Sequence, residues 1–261
     1  MNNDELDESS DDSEGTSRMS FLDHLEELRK RILYSVYALL VGCGIAFFFA
    51  VKLTHYLQGY LTAMGGKLQY TELMGGFMFY FKVGAFAGLL LSAPVIFLQV
   101  WLFVAPGLYQ RERRVVIPFV ASSTALFAAG VYFAHRFAIP SMLKFFASFE
   151  NQFVDMRPNI SSTFDFYVKM ILAFGLVFQM PILVFFLARF GIVTARFMWK
   201  HFRYAVLIIF VLAAIATPTA DPVNQAMFAA PMVVLYLISI VVAWVFQKKK
   251  KKDDDDDDDA A

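Results

Sequence analysis

Six stretches of this chain, at 32–51, 83–110, 115–134, 170–188, 204–220 and 222–247, contain no Asp, Glu, Lys or Arg. They are dominated by Leu, Ile, Val, Phe and Ala, and a run of about 20 apolar residues is what a helix needs to cross a bilayer. In hydrocarbon every backbone N–H and C=O must be bonded within its own segment, so helix is the form such runs take. Composition agrees: 58% of the 261 residues are hydrophobic and 17% aromatic, with a mean hydropathy of +0.54. A soluble core of this length could not hide that much apolar surface. The sequence predicts an all-α polytopic membrane protein with six transmembrane helices.

An even number of spans puts both termini on one side, and the placement of basic residues says which. Arg29, Lys30 and Arg31 precede the first span, and that side is cytoplasmic by the excess of Lys and Arg in inner loops. The same side then receives 16 of the 23 basic residues, or 11 against 7 without Lys248–Lys252. The formal net charge of zero conceals this asymmetry, because seven acids lie in the first 14 residues and seven more in Asp253–Asp259. Nine acids remain elsewhere, so the loops are strongly basic and suit anionic headgroups. A multi-pass membrane protein, N-in and C-in, follows.

Three regions are expected. Residues 1–18 form an acidic, Ser-rich tail too poor in apolar side chains to fold. Residues 19–247 form the membrane domain, opening with an amphipathic cytoplasmic helix on which Phe21, Leu22, Leu25, Leu28 and Ile32 recur at helical spacing, Ser20 and Asp23 serving as its N-cap signal. Residues 248–261 form a charged, disordered tail. The N-terminus lacks the basic patch followed by an apolar stretch of a cleavable signal peptide, so the first span is expected to persist. The single Cys43 excludes an intrachain disulfide.

Two irregularities stand out. Between Arg203 and Pro218 only 14 residues can be helical, roughly 21 Å against a hydrocarbon core of about 30 Å. The fifth span is too short for an undisturbed bilayer, and mismatch of this kind is met by thinned lipid or protein shielding. Secondly, Lys82 precedes Pro94, and Lys169 precedes Pro181, by the same twelve residues. Proline deep in a helix removes a backbone bond and kinks it, so Pro94 and Pro181 are expected kinks, either building a concave wall together or serving unrelated packing needs. Gly84 and Gly88 form a GxxxG, the pattern of close helix contact.

Catalytic chemistry is absent. His24, His55, His135 and His201 are scattered, none at metal-ligand spacing from another. Gly42-Cys43-Gly44 lacks the third glycine of a dinucleotide loop, and no Walker A or G-x-S-x-G occurs. No enzyme activity, metal, cofactor or nucleic-acid partner is expected. Among the few acids, Glu27 on the first helix and Glu112 within Arg111-Glu112-Arg113-Arg114 both fall on the cytoplasmic side. Two readings fit them. One is local charge balance, Glu27 pairing with Arg31 and Glu112 with its arginines. The other is a receptor for guanidinium groups gripped in bidentate fashion, with Phe103 supplying apolar surface nearby.

The run Phe21-Leu22-Asp23-His24-Leu25-Glu26-Glu27-Leu28-Arg29-Lys30-Arg31 resembles the N-terminal signature of TatC, the multispanning subunit of the twin-arginine translocase. A second block, Leu91-Ser92-Ala93-Pro94-Val95, Gln99-Val100-Trp101, Phe103, Ala105-Pro106-Gly107-Leu108-Tyr109 and Glu112-Arg113-Arg114, is similar to the same family. So are Ala173-Phe174-Gly175-Leu176-Val177-Phe178-Gln179-Met180-Pro181 and Thr217-Pro218 with Asp221. Together they cover roughly residues 19–246. The resemblance implies a cupped TatC-like fold with short helices 5 and 6. It implies a receptor for the twin-arginine signal peptides of folded proteins, homo-oligomeric in its complex, contacting membrane lipid and working with TatA and/or TatB-type single-span subunits on the proton motive force. It further implies that Glu27, Arg29, Phe103 and Glu112 bind the signal peptide, that Gln179 contacts partner subunits and that Asp221 lies in a functional outer turn.

Two departures limit the transfer. The family often has Glu where Gln179 stands, and an amide can hydrogen-bond but not titrate. Leu73-Met74-Gly75-Gly76-Phe77 replaces a Ser-Pro-x-Glu-Ala-Phe pattern, so the outer loop's usual contacts are not assigned. The competing class is a proton- or ion-coupled small-solute secondary transporter, motivated by proline-interrupted helices near mid-membrane. Against it, Lys82 and Lys169 sit at the outer border, where snorkelling is the simpler role.

Overall fold

The computed structural model describes residues 8–65, 68–104, 116–148, 158–216 and 222–246. The described residues form helices α1 (Glu8–Gly65), α2 (Gly75–Val104), α3 (Val116–Phe133), α4 (Ile139–Ala147), α5 (Ile160–Val177), α6 (Met180–Arg189), α7 (Ala195–Lys200), α8 (Phe202–Ala216) and α9 (Pro222–Phe246). Beyond one isolated bridge, Gln69 with Asn159, the described residues contain no β-structure. Among the described residues five helical stretches are long and apolar enough to cross a membrane: His24–Ala63, Gly75–Phe103, Ile117–Ala147, Ile160–Arg189 and Phe228–Phe246. Large apolar side chains stand outward on them, Phe48 at 88% and Ile215 of the shorter α8 at 78% exposure, an apolar surface that only lipid or another protein can cover.

Several boundaries differ from expectation. The surface helix and first span are one helix of 58 residues, about 87 Å long. Its described backbone includes residues 8–18. The side chains of Ser20 and Asp23, the expected cap, lie outside the described residues, as do residues 1–7 and 247–261. Nothing from Ser20 to Ile32 forces a break, since no Pro or Gly intervenes and a helix once started adds residues cheaply. The third span also outruns its expected end at residue 134, passing through a π-helical turn, Ala134–Ala138, into α4. Arg136 and Lys144 therefore ride on helix rather than in a loop. Helix α8 has 15 residues, about 22 Å, and is short as expected. Helix α9 has 25, so of the two short final helices only α8 is short.

The two prolines act differently. Helix α2 runs unbroken through Pro94. At Pro181 the missing N–H leaves the Val177 carbonyl without its helical donor, and α5 gives way to a turn at Phe178–Gln179 before α6 begins. The Gln179 N–H bonds Leu176 O at 2.9 Å, and its carbonyl accepts from Ile182 and Leu183, both at 3.1 Å. Helix α6 ends at Gly191, whose φ of 76° suits a glycine in the left-handed C′ position.

The chain divides into two compact units, Met1–Ala125 with Phe149–Asp165, and Leu126–Ser148 with Phe166–Ala261. In the first, α1 and α2 meet along small residues. A Cβ on Gly88 would lie 2.5 Å from Cys43 Cα, and one on Gly84 2.7 Å from the Phe47 ring. The GxxxG is thus a true contact seam. Ser92 Oγ extends it, 2.9 Å from Ala38 O and 2.7 Å from its own helix's Gly88 O. Farther along, Phe79 packs edge-on against Phe164, both fully buried, and Lys82 grips both oxygens of Asp165 at 2.7 and 2.9 Å. Lys82 is therefore an ion-paired residue, where snorkelling alone had been expected. Backbone bonds Gln69 N to Pro158 O and Ile160 N to Gln69 O, at 3.2 and 3.1 Å, join two connecting segments. Asn159 reinforces them, donating to Thr71 Oγ1 while its Oδ1 caps α5 at Ser161 N.

In the second unit Gly130 and Gly175 do the same work. Their added Cβ atoms would meet Phe174 O at 2.6 Å and the Phe127 ring at 2.5 Å. His135, in the π-helical turn, shares a 3.0 Å hydrogen bond with Tyr167 Oη. Gln225 of α9 donates to Phe210 O of α8 at 2.8 Å, and Val184, Ala188, Ala195, Met198, Ile240 and Ala243 form a buried cluster that joins α6, α7 and α9.

Candidate functional site

Three residues on one face of α1, His24, Glu27 and Arg31, spaced by three and four, turn toward Gln99 and Phe103 of α2, themselves four apart. Arg31 organises the group. Its Nη2 donates to Glu27 Oε1 at 3.0 Å and its Nη1 reaches Gln99 Oε1 at 3.4 Å. Its Nε is buried and has no hydrogen-bond partner among the described residues. Beside this pair the His24 ring stacks on Phe103, centroids 4.6 Å apart and planes 23° apart. The site is a carboxylate, an amide oxygen and an aromatic platform around one guanidinium.

Partial burial matters to what the group can do. The Arg31 and Glu27 side chains are 23% and 30% exposed, so a ligand can reach them while water screens them only in part. Glu27 uses one oxygen on Arg31. A carboxylate offers about four lone-pair sites, so capacity for a further cation remains. The one guanidinium that Glu27 holds here is that of the chain's own Arg31.

Of the expected site residues, the structure brings Glu27 and Phe103 together through their neighbours. Arg29 is exposed and lies apart from the group, two residues and so about 200° around the helix from Glu27. Glu112 and Asp221 lie outside the described residues. Gln179 sits in the turn that separates α5 from α6, where the chain opens one helical turn. Gln99 and His24 join the group although neither is assigned a binding role from the sequence. The available signal was that Gln99 is the only amide between residues 83 and 103, and a polar group in a membrane helix marks a contact.

Residues 23–231 match the family model described as Sec-independent protein translocase protein (TatC). The chain belongs to the TatC family. A TatC protein of Koribacter versatilis is 43% identical over 237 residues, covering 88% of this chain and 87% of that protein. A TatC protein of Synechocystis is 40% identical, covering 89% of each. Two crystal structures of the twin arginine translocase receptor TatC superpose with TM-scores of 0.73 and 0.75 at 32% identity, covering 84% of this chain and 97% and 99% of those chains. As a TatC protein the chain is a protein translocase component of a membrane and not an enzyme, and the small-solute transporter alternative finds no support.

Proposed function

We propose that this chain is the receptor subunit of a twin-arginine translocase. It binds the twin-arginine signal peptides of folded proteins and, with TatA and/or TatB-type single-span subunits, exports them across the bacterial cytoplasmic membrane on the proton motive force. The observation that supports this reading best is the Glu27–Arg31 pair set against Gln99 and Phe103. A carboxylate that already holds one guanidinium, beside an aromatic surface, has the chemistry to receive another that is followed by an apolar run. Glu112 completes this surface by supplying a second carboxylate for the second arginine, while Arg29, on another face of α1, contacts the peptide outside the Glu27–Arg31 group.

The membrane arrangement proposed is six spans with both termini cytoplasmic, α8 serving as the short fifth. Gln179, in the break between α5 and α6, contacts the partner helices, Asp221 lies in the functional outer turn, and copies of the chain assemble in the receptor complex. An amide at Gln179 can bond a partner but cannot carry a proton. Gln179→Leu should therefore lower co-purification of single-span partners about threefold or more, with signal-peptide crosslinking unchanged. Equal partner recovery would remove Gln179 from that contact.

The decisive test is export in a strain lacking its own TatC. The chain should restore transport of a folded reporter bearing a twin-arginine signal and should not restore one whose two arginines are replaced by lysines. A correctly inserted chain that exports neither reporter in the presence of its own partner subunits would overturn the proposal.

A further inference from the structure

The groove between α7 and α9 has no part in the function proposed above. It encloses about 470 Å³ and is lined by Ala195, Arg196 and Trp199 on one wall and Ile240, Val241 and Trp244 on the other. That volume lies within the usual range for organic ligands. The walls are held in place from beneath. Tyr236 Oη donates to Met198 O at 3.0 Å, the Phe202 ring lies 6.0 Å from that of Tyr236, and Trp199 stacks on Phe202 at 5.8 Å.

Trp199 and Trp244 are nonetheless 64% and 70% exposed, so the two indoles flank an opening instead of filling a core. Tryptophan at this degree of exposure is characteristic of the membrane–water border. Trp244 stands two residues before the end of the apolar stretch Phe228–Phe246, and Lys248–Lys252 follow in sequence. The groove therefore opens at headgroup level. Among the described residues that line the groove Arg196 is the one charged side chain, and it makes no ion pair among the described residues. A guanidinium is weakly hydrated and forks onto phosphate oxygens.

We infer that the α7–α9 groove binds an anionic phospholipid, with an acyl chain along Trp199, Ile240, Val241 and Trp244 and the phosphate on the Arg196 guanidinium. A seat for a partner helix would favour a stripe of small residues that lets two backbones approach. A basic, Trp-flanked pocket between membrane helices is headgroup chemistry.

The test uses the full chain carrying Trp101→Phe, which leaves Trp199 and Trp244 as its only tryptophans, in phosphatidylcholine vesicles. A minor fraction of the lipid is replaced by phosphatidylglycerol with brominated acyl chains or by equally brominated phosphatidylcholine, and tryptophan quenching is read. Brominated phosphatidylglycerol should quench at severalfold lower mole fraction. Arg196→Gln should erase about a fivefold preference, whereas Arg136→Gln, on another helix, should keep it. Equal quenching by the two lipids with Arg196 intact overturns the inference and needs no variant that could misfold. So does a preference that survives Arg196→Gln.

Discussion

Glu112→Ala should abolish photocrosslinking of the chain to a twin-arginine peptide while leaving membrane insertion intact. A hydrogen bond to a charged group is worth about 1.5–3 kcal/mol, so losing a carboxylate that holds an arginine should weaken binding at least about tenfold. Glu27 allows a finer dissection, because its ion pair with Arg31 offers a purely structural role. Glu27→Gln keeps an oxygen for Arg31 but removes the charge. If the carboxylate receives the peptide, crosslinking falls about as far as in Glu27→Ala. If Glu27 serves only to hold Arg31, Glu27→Gln crosslinks normally. Fold stability should change little in either variant, by about 0.5 kcal/mol, as expected of a partly exposed pair at i,i+4. Unaltered crosslinking in Glu112→Ala would remove that residue from the recognition surface.

Gly88→Val should be the most damaging single change to the fold. Its Cβ would stand 2.5 Å from Cys43 Cα and 2.6 Å from Cys43 Sγ, and backbone on a packed helix cannot retreat as a flexible side chain can. Overpacking of this sort costs about 3 kcal/mol, enough to lower the unfolding temperature of the detergent-purified protein by several degrees. Because Gln99 and Phe103 lie on the same helix as Gly88, peptide crosslinking should fall with it. Gly44→Ala is the control. A Cβ there meets nothing within 4 Å, and alanine in place of a helical glycine gains up to about 1 kcal/mol. A Gly88→Val protein as stable as its parent would show that α1 and α2 do not depend on this seam.

How much of this was legible beforehand follows from which physical rule governs each feature. The apolar runs were legible because charge is expelled from hydrocarbon, and the GxxxG because backbone approach requires missing side chains. Joints between helices were not. A capping signal at Ser20 loses to helix propagation, and the π-helical turn at Ala134–Ala138 leaves the hydrophobic period nearly unchanged. Pro94 and Pro181 share one spacing and differ in outcome, since α2 is held by α1 on both sides of Pro94, at Gly88 and Ser92 before it and at Gln99 and Phe103 after it. For the site, family motifs pointed to Glu27 and Phe103. The Arg31–Gln99 and His24–Phe103 contacts needed two helices in register, which no single segment encodes. The Lys82–Asp165 pair spans 83 positions and was invisible for the same reason.

The discontinuity of the first unit carries a consequence for biosynthesis. Its last strip, ending at Asp165, is separated from Ala125 by Leu126–Ser148, which belong to the other unit. Domains emerging from a ribosome at about 5–20 residues per second complete only when their final segment arrives. Until Asp165 is made, Lys82 has no counter-charge and the Phe79 ring no Phe164 to close over it. The α1–α2 hairpin must therefore wait, for about two to eight seconds after Ala125 is added, as an unfinished intermediate in the membrane. A chaperone or insertase that guards this protein during translation would find its client in that interval.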